Sequence, residues 1–302
     1  MRPAILIDTD FQMDVDDVGA LALAHALHDA GMLDLLAVAV DTSSPLGPLA
    51  VDIVNRACGH RLVIGVRPAV DEPIPSPEYA HGLVQRFGAA KDAPLESALG
   101  LYRRMLASAV PGSVTIVSIG FYGNLVELID SPPDGHSDLY GRALIERAVA
   151  ETIVMGGIYP EGREFNFLGD IELTRRFLSE WPLPIRFVGF ETAHGVITGA
   201  ELSSSRGVDD PVAVAYSAYN GGERGRDSWD PLTVLVAADP SRFAWSDTGV
   251  VQIDAEGVDR FDEVPGGPHR ILLPLASPDD IAAEIDGYLR TEPKAVEYRC
   301  DS

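Results

Sequence analysis

Short apolar runs bounded by Gly, Pro or Asp recur along the chain, with amphipathic stretches between them. The runs are Ala4 to Ile7, Leu33 to Val40, Leu62 to Val66, Val114 to Ile119, Thr152 to Met155 and Ile185 to Phe190. Each is short and nearly continuous in apolar residues, the pattern of strands buried on both faces. Helical patterns fill the intervals at Val18 to His28, Leu49 to Ala57, Leu95 to Ala109 and Ile171 to Trp181. This β-α order predicts a single α/β domain over residues 1–302, with a mostly parallel, Rossmann-like open sheet flanked by helices. Pro68 to Pro94 and Asp130 to Gly141 carry Pro, Gly and charge without periodicity and read as long loops, which over a parallel sheet often hold substrate contacts. After Asp239 the pattern changes. Gly249 to Ala255 and Arg270 to Leu275 alternate like antiparallel strands, and Pro278 to Arg290 reads as a closing helix capped by Ser277.

The first apolar run leads into Asp8, Asp10, Asp14, Asp16 and Asp17, five carboxylates within ten residues. They begin where a buried strand ends and finish where a helix begins, the edge at which open α/β sheets bind ligands. Two carboxylates about 4 Å apart repel by roughly 4 kcal/mol at an effective dielectric near 20, so several converging need a cation or must take up protons. Capping a turn or complementing a helix dipole accounts for one or two aspartates, not five. All-oxygen clusters of this kind select hard ions, Ca²⁺ or Mg²⁺.

Lys and Arg number 23 against 46 Asp and Glu, a formal net charge of −23. That balance repels polyanions, so nucleic acid and anionic membrane are not expected as partners. Part of the acidic excess simply keeps a soluble surface soluble. Cys58 and Cys300 make neither a disulfide framework nor a thiolate metal site, which fits a reducing compartment. The apolar run before the first carboxylate is too short for a signal peptide or a membrane span, so a cytoplasmic location is expected.

The motifs Asp8-Thr9-Asp10 and Asp16-Asp17-Val18-Gly19-Ala20-Leu21 resemble the N-terminal signature of the inosine-uridine nucleoside hydrolase family. The loop between them is two residues longer than the family's usual form and reads Phe11-Gln12-Met13-Asp14-Val15 in place of its Pro-Gly. This leaves Asp14 competing for a role the family gives to the first Asp of the pair. Three further segments extend the resemblance over about four fifths of the chain. Ser118-Ile119-Gly120-Phe121-Tyr122-Gly123-Asn124-Leu125 is similar to the family's strand-to-helix turn ending in Asn-Leu. Glu164-Phe165-Asn166, followed by Asp170, is similar to its ribose-holding element. Asp230-Pro231-Leu232 is similar to its late Asp-Pro.

The resemblance implies a nucleoside hydrolase-like fold and Ca²⁺-dependent cleavage of the N-glycosidic bond of a small-molecule riboside. It also implies a homo-oligomer, dimer or tetramer. It assigns Asp10, Asp17, the Gly123 carbonyl and Asp230 to the metal and Asp10 to proton abstraction from water. Asp14, Asp16, Glu164, Asn166 and Trp229 are the expected substrate contacts. The family's usual histidine before the late Asp is replaced by Trp229, whose indole cannot supply a catalytic proton. Leaving-group chemistry then falls to another group, with His81 the first candidate and His194, Tyr159 and Glu191 behind it, or to stacking of an aromatic aglycone on Trp229.

Two other readings share part of this pattern. A haloacid dehalogenase-type phosphatase also opens with a strand and Asp-x-Asp, but it needs a Lys after a later strand. The lysines here, Lys91 and Lys294, do not sit there. A catalytically weak nucleoside- or sugar-binding homologue, or a hydrolase of an unusual riboside in specialised metabolism, remains an alternative.

Overall fold

Side chains alternate across a strand, so Ile5 and Ile7 pack into one hydrophobic layer and Leu6 into another, all three buried. A central strand with two apolar faces requires helices on both sides of its sheet. A computed structural model describes residues 2–11, 14–68, 78–221 and 224–291. Its strands are β1 (Ala4–Thr9), β2 (Asp34–Val40), β3 (Ile64–Val66), β4 (Leu95–Ser97), β5 (Val114–Ile119), β6 (Val149–Met155), β7 (Glu161–Gly162), β8 (Ile185–Val188), β9 (Ile197–Thr198), β10 (Arg226–Asp227), β11 (Gly249–Ile253), β12 (Asp259–Glu263) and β13 (His269–Ile271). Among the described residues, all but β9 and β10 form one eleven-stranded sheet in the order β4-β3-β2-β1-β5-β6-β8-β13-β11-β12-β7, and β9 pairs with β10 apart from it.

The helices are α1 (Asp16–Asp29), α2 (Gly47–Ala57), α3 (Glu78–Phe87), α4 (Ala98–Ser108), α5 (Gly123–Asp130), α6 (Gly141–Ala148), α7 (Phe165–Gly169), α8 (Ile171–Glu180), α9 (Phe190–Ala193), α10 (Leu202–Ser205), α11 (Pro211–Asn220), α12 (Trp229–Ala238) and α13 (Pro278–Leu289). Residues of α1, α2 and α12 join Ile5 and Ile7 in the first layer. Residues of α4, α5 and α6 join Leu6 in the second. This is the expected single-domain α/β fold with a mostly parallel sheet between helices.

Four local expectations change. The stretch Pro68 to Pro94 contains α3, and residues 69–77 of it lie outside the description. Leu95 to Ala109 is not helical throughout: Leu95–Ser97 pairs with β3 as an edge strand. Ser97 then caps α4, its hydroxyl accepting from the Gly100 N–H at 3.1 Å, so the helix starts only at Ala98. Phe190 has left β8 and opens α9. The late strand is His269–Ile271, antiparallel to β11 as expected but parallel to β8. Ser277 caps α13 as anticipated, accepting from Asp280 N. Cys300 lies outside the described residues.

Between α5 and α6, residues 131–140 form a connection without helix or strand, as the composition of Asp130 to Gly141 predicts, and one buried cation holds it down. Arg103 Nη1 donates to Ser131 Oγ at 2.7 Å, and Nη2 donates to the carbonyls of Ser137 and Leu139 at 3.0 and 2.9 Å. Its Nε lies 2.8 Å from Asp134 Oδ2, an ion pair that draws the Asp134 carboxyl down to about 2. Truncation strands buried acceptors without donors. Arg103→Ala should therefore lower unfolding free energy by about 2–4 kcal/mol in denaturant titration, and a change within about 0.5 kcal/mol would contradict the role given to this residue.

Candidate active site

The chain leaves β1 outward through β2, β3 and β4, then returns to lay β5 against the other edge of β1. Strand order therefore reverses between β1 and β5, and the crevice beyond their carboxyl ends is the ligand-binding position of such sheets. Asp8 and Asp10 leave β1 at this point. Gly120, just after β5, lets the neighbouring backbone come close: a Cβ there would stand 2.4 Å from Asp10 N and 2.6 Å from Asp41 Oδ2. Gly19 serves α1 in the same way, since a Cβ there would meet the Tyr216 hydroxyl at 2.3 Å and Pro231 at 3.3 Å. That close approach sets the starts of α1 and α12 together, and Asp16 Oδ2 accepts the Asp230 N–H at 3.1 Å.

The result is a cleft of about 300 Å³. Asp10, Asp14, Asp16, Asp230, Glu164 and Asn166 supply its polar lining, Ile119, Met155, Phe165, Phe190 and Trp229 its apolar lining, and Tyr219 and Arg226 complete it. Seven of the ten residues expected at the site thus line one cavity. Asp17 and Gly123 are buried and lie outside the lining. Gly123 opens α5 against the Arg67 guanidinium, which a Cβ there would strike, so this glycine already touches a cation.

His81, expected as the first candidate for the acid, stands apart from the cleft lining. On α3, Tyr79, Ala80 and Leu83 turn inward and are buried, which by helical spacing leaves His81 exposed to solvent and outside the cleft lining. His194 is also exposed; its Nδ1 lies 3.3 Å from Asp227 and its ring stacks on Phe190. Tyr159 is buried and donates to the Gly156 carbonyl at 2.9 Å, while Glu191 accepts from Tyr159 N at 3.0 Å. Asp170 is a helix cap, accepting from Leu173 N. Asp14 lines the cleft, but its carboxylate is taken up by Arg226 Nε, at 3.0 and 3.1 Å, and by Arg226 Nη2. This makes it first a counter-ion to a guanidinium and alters the substrate-contact role expected of it. Trp229 lines the cleft with its indole N–H donated to the Phe190 carbonyl at 3.0 Å.

Beneath the cleft lies a second layer that the sequence did not reveal apart from Asp8. Asp8 Oδ2 accepts from Tyr102 Oη at 2.8 Å and from Asn124 Nδ2 at 3.0 Å. Asp41, at the end of β2, is held well above the usual carboxylate range by burial and then by the charges of Asp8 and Asp10. On another wall, Asp259 accepts the backbone N–H groups of Ile158 and Glu164 at 2.6 and 2.9 Å. Glu164 in turn caps α7, accepting from Asn166 N, Phe167 N and Gly157 N at 2.8, 3.0 and 3.3 Å.

Burial pushes Asp10 up to about 8, with the charges of Asp14 and Glu164 adding to it. Asp16, Asp17 and Asp230 are also raised, first by burial and then by neighbouring aspartates. Glu164 rises to about 7 and Asp8 to about 6, in both cases from burial. Asp17 Oδ2 is buried with no hydrogen-bond partner. Such an oxygen lacks a donor or a cation. Among the described residues no three side chains form a ready-made cation cage, so main-chain and ligand oxygens are needed to complete a coordination shell. Within that limit the donors fit a hard ion: all are oxygens, burial and neighbouring carboxylates raise their pKa, and one is orphaned.

An α/β fold with a carboxylate-lined cleft at its strand switch point defines a site suited to hydrolysis of a polar small molecule. The profile of the inosine-uridine preferring nucleoside hydrolases matches residues 5–269, and the chain belongs to that family. It is accordingly a hydrolase acting on N-glycosyl compounds, and the family is metal-dependent. The chain is 25% identical over 288 residues to a probable uridine nucleosidase 2 of Arabidopsis thaliana, covering 86% of this chain and 84% of that one. Its fold is that of a plant nucleoside hydrolase, PpNRh1, with TM-score 0.75, 19% identity, and 96% and 99% of the two chains covered. It is also that of an inosine-uridine preferring nucleoside hydrolase from Bacillus anthracis, with TM-score 0.68, 16% identity, and 96% and 99% covered.

The carboxyl groups carry a pH signature. An acid whose folded pKa is raised favours the folded state below its unfolded value, and that contribution is lost as pH rises through the folded value. Chelator-stripped protein should therefore lose thermal stability between pH about 5 and about 8, the upper limit being that of Asp10. A divalent cation should restore more of the melting temperature at the alkaline end than at the acid end. A melting temperature that rises over this window in the stripped protein would contradict the electrostatic description.

Proposed function

We propose that this protein hydrolyses the N-glycosidic bond of a ribonucleoside in a Ca²⁺-dependent reaction that yields ribose and free base. The observation that carries the proposal is the placement of Asp10 and Asp16 at the strand switch point in one cleft with Glu164, Asn166 and an aromatic wall. The name of the Arabidopsis relative supports a nucleoside as the substrate.

Asp10, Asp17 and Asp230, with the Gly123 carbonyl, are the oxygen donors for the ion in this reading. When bound, Ca²⁺ supplies charge compensation for these carboxylates and lowers the pKa of neighbouring water. Asp10, ionised once its neighbours' charge is offset, takes the proton from the water that attacks the anomeric carbon. Asp16 holds one carboxylate oxygen on the Asp230 N–H and lines the cleft, where a carboxylate accepts from a ribose hydroxyl; the Asn166 amide can both donate and accept there. As the glycosidic bond lengthens, positive charge grows on the sugar. Fixed carboxylates stabilise that oxocarbenium-like state more than the neutral ground state.

One observation favours a second reading, a binding homologue without turnover: among the described residues, no histidine lines the cleft. Reducing-sugar release from a panel of purine, pyrimidine and nicotinamide ribosides separates the two. Release should disappear with chelator, return with Ca²⁺, and fall about 10²–10⁴-fold in Asp10→Asn with the fold intact. Turnover unchanged in Asp10→Asn removes the proposed base. Ca²⁺ binding without ribose release from any riboside leaves the binding homologue.

A further inference from the structure

Breaking a glycosidic C–N bond leaves an electron pair on the base, which must be met by a proton or stabilised as an anion. The residues around the cleft supply protons poorly. The Trp229 N–H is already donated to a carbonyl, and Glu164 directs its oxygens to three backbone N–H groups. Tyr219 is pushed up to about 12 by burial and by Asp14. Arg226, by contrast, brings a permanent positive charge to the lining.

Its setting is unusual. The guanidinium lies 4.8 Å from the centre of the Trp229 ring and 5.6 Å from that of Tyr219. Phe190 is stacked on Trp229 at 5.0 Å and 22°. Both neighbours lie within stacking distance of the indole, and the face that the guanidinium covers is not open for a base to stack on. Arg226 lines the cleft, and its side chain is 31% exposed. Asp14 fixes its orientation through Nε and Nη2, so the plane and Nη1 are what Arg226 can offer a ligand. Planar guanidinium groups stack on aromatic faces and donate in-plane hydrogen bonds.

We propose that Arg226 is a specificity-determining residue: its guanidinium, laid on Trp229 and clamped by Asp14, receives the aglycone and favours bases that depart as delocalised anions. These are oxo-substituted bases such as uracil or hypoxanthine, in preference to amino-substituted bases that must be protonated to leave. The inference rests on the hydrolase reading above. Water oxygen bonds to the anomeric carbon as its proton passes to Asp10. The C–N bond breaks with its electron pair going to the base nitrogen, and the anion formed beside Arg226 takes its proton from solvent. Nothing is oxidised or reduced.

Turnover of uridine, cytidine and 4-nitrophenyl riboside by wild-type, Arg226→Met and Arg226→Lys protein tests this. The nitrophenolate is a stable anion and needs little help, so it separates leaving-group stabilisation from general damage. Wild type should prefer uridine to cytidine. Arg226→Met should lose about 10²–10³-fold in kcat on uridine, the loss typical of a removed electrostatic donor, and less than about tenfold on the nitrophenyl substrate. Arg226→Lys, which keeps the charge, should fall between and guards against a misfolded Met variant. Equal falls on uridine and nitrophenyl riboside, an unchanged uridine rate, or a preference for cytidine would overturn the inference while leaving the hydrolase reading standing. No ribose release by wild type from any of the three would overturn both.

Discussion

The conflict among buried carboxylates at the end of β1 is the constraint on which the rest of this site depends. Asp10, Asp16, Asp17 and Asp230 are buried at the point where strand order reverses; burial raises the pKa of all four, and the charges of neighbouring carboxylates add to it. Burying one ionised carboxylate costs several kcal/mol even after relaxation, and crowding adds to that cost. No helix cap or turn requires such an arrangement. Its surroundings are built to keep it: Gly120 lets the backbone close over Asp10, Gly19 admits α12 beside α1, and Tyr102 with Asn124 fixes Asp8 beneath. Stability given up in this way belongs to a site whose partner is a cation and a sugar.

The sequence revealed the cluster because its signal is local. An apolar run ending abruptly in aspartates marks both the strand and its functional edge, and β1, β5, α1 and the cap of α13 followed from equally local patterns. The remainder of the site depends on residues brought together from far apart. Arg226 reaches Asp14 from a two-residue strand 212 positions away, and no periodicity or motif marks so short an element. Asp41 is a single carboxylate at a strand end, Asp259 belongs to an antiparallel pair laid on the far edge of the sheet, and neither spacing points to the cleft. Helix α3 was concealed within a Pro- and Gly-rich stretch that reads as loop, and His81, the first candidate for the acid, lies exposed on that helix.

The aromatic wall changes what the replacement of histidine by tryptophan means. Trp229 does not present a free indole to the cleft, because Phe190 and Arg226 pack against its ring and its N–H is already bonded. In the reading proposed above it supports the guanidinium that receives the aglycone. In that reading, acidic groups near the sugar and a clamped cation near the aglycone match the polarity of the bond to be broken, which develops positive charge on the sugar and negative charge on the base.

Calorimetric titration of chelator-stripped protein with Ca²⁺ at pH about 7, repeated in buffers of different ionisation enthalpy, tests the cation site most directly. Metal binding to sites that must first deprotonate releases protons, and Asp10 is raised to about 8. Saturable binding accompanied by proton release is expected, with the release diminished in Asp10→Asn. Absence of binding, or binding whose heat is the same in every buffer, would contradict it.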